Sequence, residues 1–302
     1  MLHCCRRLEA FIKNWSHNIL SIAIMDTAKS SNRQPLKFFL IVYSLSIPLW
    51  ILETMIDIKG LPLDIPITDI LAAFTPLIAA SILVYKEDGR SGINKLFRRI
   101  FDFGRVKKKV WFMPVILLPS IMYLLIYLII YFSGLPVATK FHISFLSIPV
   151  LFSFFFLGAI AEEVGYMGYA IDPLQARYGA LSASIIIGIP WAVWHYPSII
   201  QQGHNAVWIA WGTLGTVAVR VLIVWIFNNT GKSLFACILF HTIFNLGRIL
   251  FPKDEIHNPL VDYPEIHYSL IAAVAVIVIF LWGSKTLARF PFGYPKNKKQ
   301  ND

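Results

Sequence analysis

The chain has 302 residues, of which 57% are hydrophobic and only 15% are charged. With a mean hydropathy of +0.63, this composition excludes an ordinary soluble globular protein. It predicts an all-α polytopic membrane protein, a bundle of about eight transmembrane helices. The formal net charge of +10 does not indicate a nucleic-acid partner, because the basic residues segregate to one side of the membrane, as described below.

Eight apolar runs are long enough to cross a bilayer, which takes about 17–25 helical residues. In chain order they cover residues 36–56, 65–85, 110–133, 143–162, 180–196, 207–227, 233–251 and 268–284. We therefore divide the chain into a tail (1–35), a transmembrane domain (36–284) and a basic tail (285–302). Met25 begins a natural entry to the first span, so we expect residues 1–24 to be a dispensable extension.

Basic residues are concentrated on the side that both chain ends share, since an even number of spans returns the chain to its starting side. They are Arg6, Arg7, Lys13, Lys29, Arg33 and Lys37 before the first span, the loop residues Lys86, Arg90, Lys95, Arg98, Arg99, Arg105, Lys107, Lys108 and Lys109, and the tail residues Lys285, Arg289, Lys296, Lys298 and Lys299. The opposite side has Lys59, Lys140 and Lys253. Because cytoplasmic loops carry an excess of Lys and Arg, we predict that both termini are cytoplasmic. We expect the plasma membrane of a bacterium, and the sequence does not indicate an oligomeric state.

Ionisable side chains inside a membrane cost on the order of 2.5–3.5 kcal/mol each, so each needs a reason. Glu162 and Glu163 follow one another at the end of the predicted fourth span. Successive helical residues point about 100° apart, so one acid can face a cavity while the other faces a supporting partner. The alternative is that both acids end the helix at the cytoplasmic interface, although acids there oppose the helix dipole.

Two further spans carry histidine. His195 ends the predicted fifth span, with Trp191 one turn earlier on the same face and Pro197 expected to break the helix. An interfacial Trp and His belt is the alternative. His241 and Asn245 form an i, i+4 pair in the seventh span and project from one face. They are either functional or an interhelical hydrogen-bonding pair.

Arg220 lies deep in the sixth span. Its guanidinium stays protonated and therefore needs an anion or a water-filled cavity. The alternative is that the side chain extends toward the cytoplasmic end of its helix.

Together these residues have the groups that peptide hydrolysis needs. A carboxylate can activate water as a general base, and a histidine can orient that water or protonate the leaving amine. A second histidine with an Asn carboxamide can donate to the developing oxyanion. The alternative is a zinc ion held by Glu162, His195 and His241. There is no His-Glu-x-x-His signature, which favours the metal-free version, and no Gly-x-Ser-x-Gly elbow for a serine nucleophile.

The segments "EEVGYMGYAIDPLQARYGALSASIIIGIPWAVWH" and "GKSLFACILFHTIFN" closely resemble the intramembrane CAAX-protease and bacteriocin-processing family, also called CPBP or Abi. That family carries Glu-Glu-x-x-x-Arg, aromatic-x-x-x-His and His-x-x-x-Asn in this order. The similarity covers about residues 36–250, with the motif core at about 143–250. The resemblance implies an α-helical membrane endopeptidase acting on a membrane-embedded or lipid-attached peptide or protein.

The resemblance also implies a role for each matching residue. Glu162 takes the position of the general base and Glu163 that of the supporting acid. His195 takes the position of the water-activating histidine, while His241 and Asn245 take those of the oxyanion pair. The eukaryotic branch of the family removes the last three residues of prenylated CAAX proteins. Bacterial branches have peptide-processing or bacteriocin-immunity associations.

One position departs from the family pattern, because Met167 stands where the motif has arginine. Glu163 then lacks a cation four residues away on its own helix. Our hypothesis is that Arg220 supplies that charge from the sixth span. The alternatives are a protonated Glu163 or a loss of activity, which would leave a bacteriocin-immunity or partner-binding protein. Since Glu162 ends the predicted fourth span, we expect a cavity open to the cytoplasm, although His195 at the outer end of the fifth span conflicts with this.

Overall fold

The computed structural model describes residues 33–55, 67–137, 145–254 and 257–288. Within these ranges the regular structure is entirely helical, which confirms the predicted all-α class. The helices are α1 (Pro35–Met55), α2 (Ile67–Ala72), α3 (Thr75–Arg98), α4 (Phe112–Phe132), α5 (Ile148–Gly165), a π-helix (Tyr166–Ala170), α6 (Ile171–Tyr178), α7 (Ala180–Gln201), α8 (Ala206–Asn229), α9 (Leu234–Leu250), α10 (Pro259–Asp262) and α11 (Pro264–Trp282). The predictions for residues 1–24 and for most of both tails fall outside the described residues.

Seven helical segments of the described chain are long and apolar enough to cross a membrane: Pro35–Leu52, Thr68–Phe101, Lys109–Phe132, Phe145–Tyr178, Ala180–Gln201, Ala206–Asn229 and Pro264–Trp282. The seventh predicted span is α9, which has 17 residues and lies at the short limit for a membrane helix. The protein is therefore a multi-pass helical bundle, as its composition predicts.

Three predicted helix ends are wrong. The fourth span does not end at Glu162, because α5, the π-helix and α6 belong to one helical segment of 34 residues, Phe145–Tyr178. The fifth span does not end at His195, because α7 continues to Gln201 with Pro197 inside it. The basic loop predicted to start at residue 86 is helical up to Arg98, with a kink at Gly89.

Each error has a physical reason. The fall in hydropathy at Glu162 marks polar groups buried inside the protein, and the residues from there to Ala170 are all buried. A proline inside a helix removes one N–H donor and so leaves one backbone carbonyl without its helical partner. Membrane helices tolerate this loss because neighbouring helices and side chains can satisfy the freed carbonyl. Pro173 acts in the same way two residues into α6, since its ring would collide with the Tyr169 carbonyl of a regular α-helix. The π-helix that ends at Ala170 widens the backbone at this point.

Two glycines allow helices to approach closely. A Cβ added to Gly165 of α5 would lie 2.6 Å from the Pro76 carbonyl oxygen of α3. A Cβ added to Gly188 of α7 would lie 3.1 Å from the Val217 Cα of α8 and 3.4 Å from the Arg220 Cβ. The second approach brings Arg220 against α7, where Trp191 lies one turn further along.

One end of the bundle, which we call the basic end, contains residues 33–34, 99–105, 168–180, 228–233 and 284–287. Polar contacts hold these segments together. The Ala180 amide donates to the Lys285 carbonyl at 2.8 Å, and the Arg33 and Arg99 side chains donate to the Gly168 carbonyl at 3.0 and 3.2 Å. Both the start of α1 and the end of α11 therefore lie at the basic end.

Candidate active site

Glu162 is held by a tryptophan of the neighbouring helix. The Trp191 Nε1–H donates to Glu162 Oε2 at 2.6 Å. Both side chains are buried, with 8% of Glu162 and 5% of Trp191 exposed. Trp191 lies on α7, which packs beside α8, so the position of the first acid depends on a helix other than its own.

Glu163 has two partners from two other helices. Arg220 Nη1 of α8 donates to Glu163 Oε2 at 2.7 Å, and His241 Nδ1 of α9 lies 2.9 Å from Glu163 Oε1. The Arg220 and Glu163 side chains are completely buried. The structure therefore contains the ion pair that we inferred from Met167, and Arg220 does not extend toward the helix end.

The Arg220 guanidinium is also stacked on aromatic rings. Its Cζ lies 4.1 Å from the Trp191 ring centroid and 4.8 Å from that of Tyr166. Nε and Nη2 of Arg220 have no hydrogen-bond partner among the described residues, but the negative faces of two aromatic rings offer partial compensation to a desolvated cation. Arg220 thus contacts Glu163 directly and Glu162 through Trp191.

Met167 is completely buried and lies in the π-helix. It has no charge to offer Glu163. The cation that pairs with Glu163 is instead Arg220 of α8, whereas the family motif has its arginine on the same helical segment as the acids. Removing one partner of a buried ion pair costs roughly 3–5 kcal/mol. Glu163 therefore depends on Arg220, and a buried Met167 is compatible with an intact acid pair.

His195 and Asn245 join this group through a shared cavity. The His195 ring lies 5.9 Å from the Trp191 ring and 4.8 Å from the Trp194 ring, centroid to centroid. The His241 ring lies 5.4 Å from the Trp191 ring. Asn245, one turn after His241 on α9, also lines the cavity. Both histidines and the first acid therefore surround one indole ring.

The cavity has a volume of about 390 Å³ and is partly open. Glu162, Trp191, His195, His241 and Asn245 line it together with many aromatic and aliphatic side chains. Glu163 and Arg220 do not line it and lie behind the first acid and His241. The residues that sequence reasoning proposed for catalysis thus divide into a group facing the cavity and a buried pair that supports it.

The contact with Glu163 constrains the protons of His241. A carboxylate that pairs with a guanidinium is an acceptor, so Nδ1 of His241 carries a hydrogen toward it. Nε2 is then an acceptor when the ring is neutral and a donor only when the ring is protonated. Counted formally, two acids, one arginine and one protonated histidine would balance to zero net charge.

A metal site is not evident from the donor set. Among the described residues, no group of three or more His, Cys, Asp or Glu side chains is placed so that it could hold a metal ion. Glu162, His195 and His241, the ligands of the zinc alternative, therefore do not form such a group. We derive no catalytic step through a metal.

Sequence reasoning missed several residues of the site. Tyr166 supports Arg220, and its spacing of four residues from Glu162 on a helix could have indicated it. Asp69, Arg248, His267 and Tyr268 line the cavity, but no sequence signal separates them from interfacial residues. Their positions at the cavity result from how α2, α9 and α11 pack against the other helices.

Two comparisons with known proteins find relatives of this chain. The family model described as "Type II CAAX prenyl endopeptidase Rce1-like" matches residues 143–247, a range that contains both acids, both histidines and Asn245. A protein named CAAX prenyl protease 2 from Methanococcus maripaludis is 30% identical over 187 residues, which are 58% of this chain and 69% of that protein.

Proposed function

This chain belongs to the family of Rce1-like type II CAAX prenyl endopeptidases, and from that premise we propose how it cleaves peptide bonds. It is a multi-pass membrane protein of a peptidase family. We propose that Glu162 activates a water molecule that hydrolyses a peptide bond in a membrane-embedded or lipid-attached polypeptide. The observation that supports this is Glu162 itself, which is fixed by Trp191 at the base of a cavity that it shares with His195, His241 and Asn245.

In the proposed reaction, the water oxygen attacks the carbonyl carbon of the scissile bond while Glu162 takes one proton from it. His195 orients the water, because it lines the same cavity and packs against Trp191. The tetrahedral intermediate then loses its C–N bond. The proton held by Glu162 passes to the leaving nitrogen, so the products are a carboxylic acid and an amine, and the acid then gives its proton to the amine to form a carboxylate and an ammonium ion.

The oxyanion of the intermediate needs hydrogen-bond donors. The Asn245 amide can donate, and His241 can donate from Nε2 when its ring is protonated on both nitrogens. Glu163 orients that ring through its contact with Nδ1, as a carboxylate does in a Ser-His-Asp triad. Arg220 in turn holds Glu163 in place by pairing with it. We propose that Glu163 and Arg220 position His241 and do not touch the substrate.

The walls of the cavity favour a substrate associated with the membrane. Phe154, Phe155 and Leu157 of α5 line it together with Ile70 and Phe74 near α2. Leu157 and Phe74 are also exposed on the outside of the bundle, so an apolar chain could enter beside them from the lipid. The relative's name mentions CAAX prenyl substrates. For this chain we propose a peptide or protein anchored in the plasma membrane, with both termini of the enzyme in the cytoplasm.

A substitution of the proposed base tests the function. The purified protein and its Glu162→Gln variant are incubated with a library of membrane-anchored peptides, and products are identified by mass spectrometry. Loss of a general base should lower the cleavage rate by about 10²- to 10⁴-fold. Glu87→Gln is the matched control, because Glu87 accepts a hydrogen bond from the Tyr169 hydroxyl away from the cavity. Equal cleavage by the Glu162→Gln variant and the parent would show that Glu162 is not the base.

The alternative of a catalytically impaired immunity or partner-binding protein depended on Met167. The pairing of Arg220 with Glu163 removes that argument. We therefore propose only the peptidase.

A further inference from the structure

We propose that Arg248 is a specificity-determining residue, which pairs with a carboxylate of the substrate within about three residues of the scissile bond. That carboxylate is either the end of the substrate chain or the side chain of an Asp or Glu. The inference rests on the proposed function, because it takes the cavity as the place of cleavage. It adds the charge that the enzyme selects in its substrate.

Arg248 lies on the face of α9 that carries the proposed oxyanion pair. It follows His241 by seven residues and Asn245 by three, and residues at these spacings share one face of a helix. All three side chains line the cavity. The neighbouring Gly247 packs against α4 instead, since a Cβ there would lie 2.6 Å from the Tyr123 ring. The Arg248 side chain is therefore on the side of α9 where substrate would bind.

Arg248 supplies the positive charge of the cavity wall. Among the described residues that line the cavity, it is the only Lys or Arg, and the lining acids are Asp69 and Glu162. The charge of Arg248 also interacts with His195 of α7 and His267 of α11. It therefore acts on two other walls of the cavity, one of which carries the histidine proposed to orient the water.

This arginine is available to a ligand. No described carboxylate lies within ion-pair distance of Arg248, and this includes Asp69 of the same cavity. The Arg248 side chain is exposed, whereas Arg220 is buried and already pairs with Glu163. The helix dipole favours a cation in the last turn of α9, but it would do so on any face of the helix. The dipole alone thus does not explain a cation on the cavity face.

The apolar walls make the cavity selective for charge. Phe154, Phe155, Phe244 and Ile271 line it, so a bound peptide displaces water from around Arg248. A charge pair is stronger where water is excluded, and a planar guanidinium can donate two parallel hydrogen bonds to one carboxylate. An uncharged group in the same place would leave the cation desolvated and without a partner. The wrong substrate is therefore penalised as well as the right one favoured.

The spacing on α9 limits where the carboxylate lies in the substrate. Measured along the helix axis, Arg248 is about 4.5 Å beyond Asn245 and about 10.5 Å beyond His241. The scissile carbonyl would lie at that pair, and an extended peptide advances about 3.3 Å per residue. The carboxylate is therefore about one to three residues from the scissile bond.

Binding of matched peptides tests this selection. Three fluorescent, acylated peptides share one sequence. The first ends in a free carboxylate, the second in a carboxamide, and the third in a carboxamide with one internal Glu. Fluorescence anisotropy gives their affinities for the Glu162→Gln protein in lipid nanodiscs, where the substitution suppresses cleavage. Comparison of the first and third peptides distinguishes a chain end from an acidic side chain.

We expect the Glu162→Gln protein to bind at least one of the two carboxylate peptides about 10- to 150-fold more tightly than the second peptide. Adding Arg248→Met should abolish this preference, and adding Arg248→Lys should retain part of it. Lys253→Met is the matched control, because Lys253 is exposed nearby but does not line the cavity. The control should keep the full preference. Thermal unfolding of the Arg248→Met protein should match that of its parent, because no described acid loses a partner.

Several results would overturn the proposal. One is a Glu162→Gln protein without a preference for either carboxylate peptide, and another is a preference that survives Arg248→Met. Equal losses of affinity for all three peptides would show that Arg248 has a structural role only. An effect of Arg248→Met that follows the phosphatidylglycerol content of the nanodisc, and not the peptide, would show that it binds a lipid headgroup instead.

Cleavage assays separate this inference from the proposed function. If cleavage of the peptide library depends on Glu162 but the carboxylate preference does not depend on Arg248, this inference alone fails. If Arg248 determines the binding preference but the Glu162→Gln protein cleaves as fast as the parent, the proposed function fails instead.

Discussion

Replacing Trp191 by phenylalanine removes one hydrogen bond from the proposed base. The Trp191→Phe variant loses the Nε1–H that donates to Glu162 at 2.6 Å but keeps an aromatic ring beneath Arg220. A hydrogen bond to a charged group contributes about 1.5–3 kcal/mol. If that energy serves to hold Glu162 in position for the reaction, kcat should fall by about 10- to 150-fold. The assay is kcat and KM on a peptide that the parent protein cleaves.

Trp194→Phe is the matched control. Trp194 lies on the same helix and is similarly buried, with 4% of its surface exposed. It donates its Nε1–H at 2.8 Å to Ser46, which is not one of the proposed catalytic residues. Both variants lose the same atoms from a buried ring, so we expect similar losses in thermal stability. Only the Trp191→Phe variant should show the large fall in kcat.

Two results would refute this reasoning. Equal falls in kcat for the two variants would mean that Trp191 contributes packing alone. A Trp191→Phe variant with kcat within about twofold of the parent, far from the 10-fold limit set by the hydrogen-bond energy, would mean that the indole does not hold the base.

Three further predictions follow from the same contacts. Arg220→Met should destabilise the protein by about 3–5 kcal/mol in detergent unfolding and lower its activity, because Glu163 loses its buried cation. Adding Met167→Arg should restore part of the stability and part of the activity. A stable, active Arg220→Met variant would contradict this prediction. Gly165→Ala should lower stability by about 1–3 kcal/mol, because its Cβ would meet Pro76, whereas Gly158→Ala, with nothing within 4 Å, should leave stability nearly unchanged in the same unfolding assay. A chelator such as 1,10-phenanthroline should leave the cleavage rate unchanged, and inhibition that added zinc reverses would support the zinc alternative.

The positions of the helices could largely be predicted from the sequence, because the length of an apolar run is a property of consecutive residues. The ends of several helices could not be predicted from the sequence. Glu162 and Pro197 both interrupt an apolar pattern, so each was interpreted as a boundary. In the folded protein, Trp191 satisfies the acid and α7 continues past the proline. Whether a polar residue ends a helix or is buried within it depends on partners from other helices.

The candidate site shows the same division. Motif spacing pointed to the acids, which are adjacent, and to His195, His241 and Asn245, because Trp191 and His195 are one helical turn apart, as are His241 and Asn245. It could not establish that His241 contacts Glu163 through Nδ1, since 78 residues separate them. It also placed Glu162 at the end of a span, whereas the helical segment continues to Tyr178.

In this chain the cation that pairs with Glu163 is Arg220, whereas the family motif has an arginine at the position of Met167. This difference changes more than the origin of the charge. What Glu163 requires is a cation within hydrogen-bond distance, and Arg220 meets that requirement at 2.7 Å. An arginine at Met167 would be four residues from Glu163 and would join the acid only to its own helical segment. Arg220 instead joins Glu163 to α8 and stacks on Trp191 of α7, which holds Glu162. Both acids therefore depend on one cation, and on the close approach of α7 and α8 that Gly188 permits. Substitutions that separate these two helices should accordingly disturb both acids together, although neither acid lies on α7 or α8.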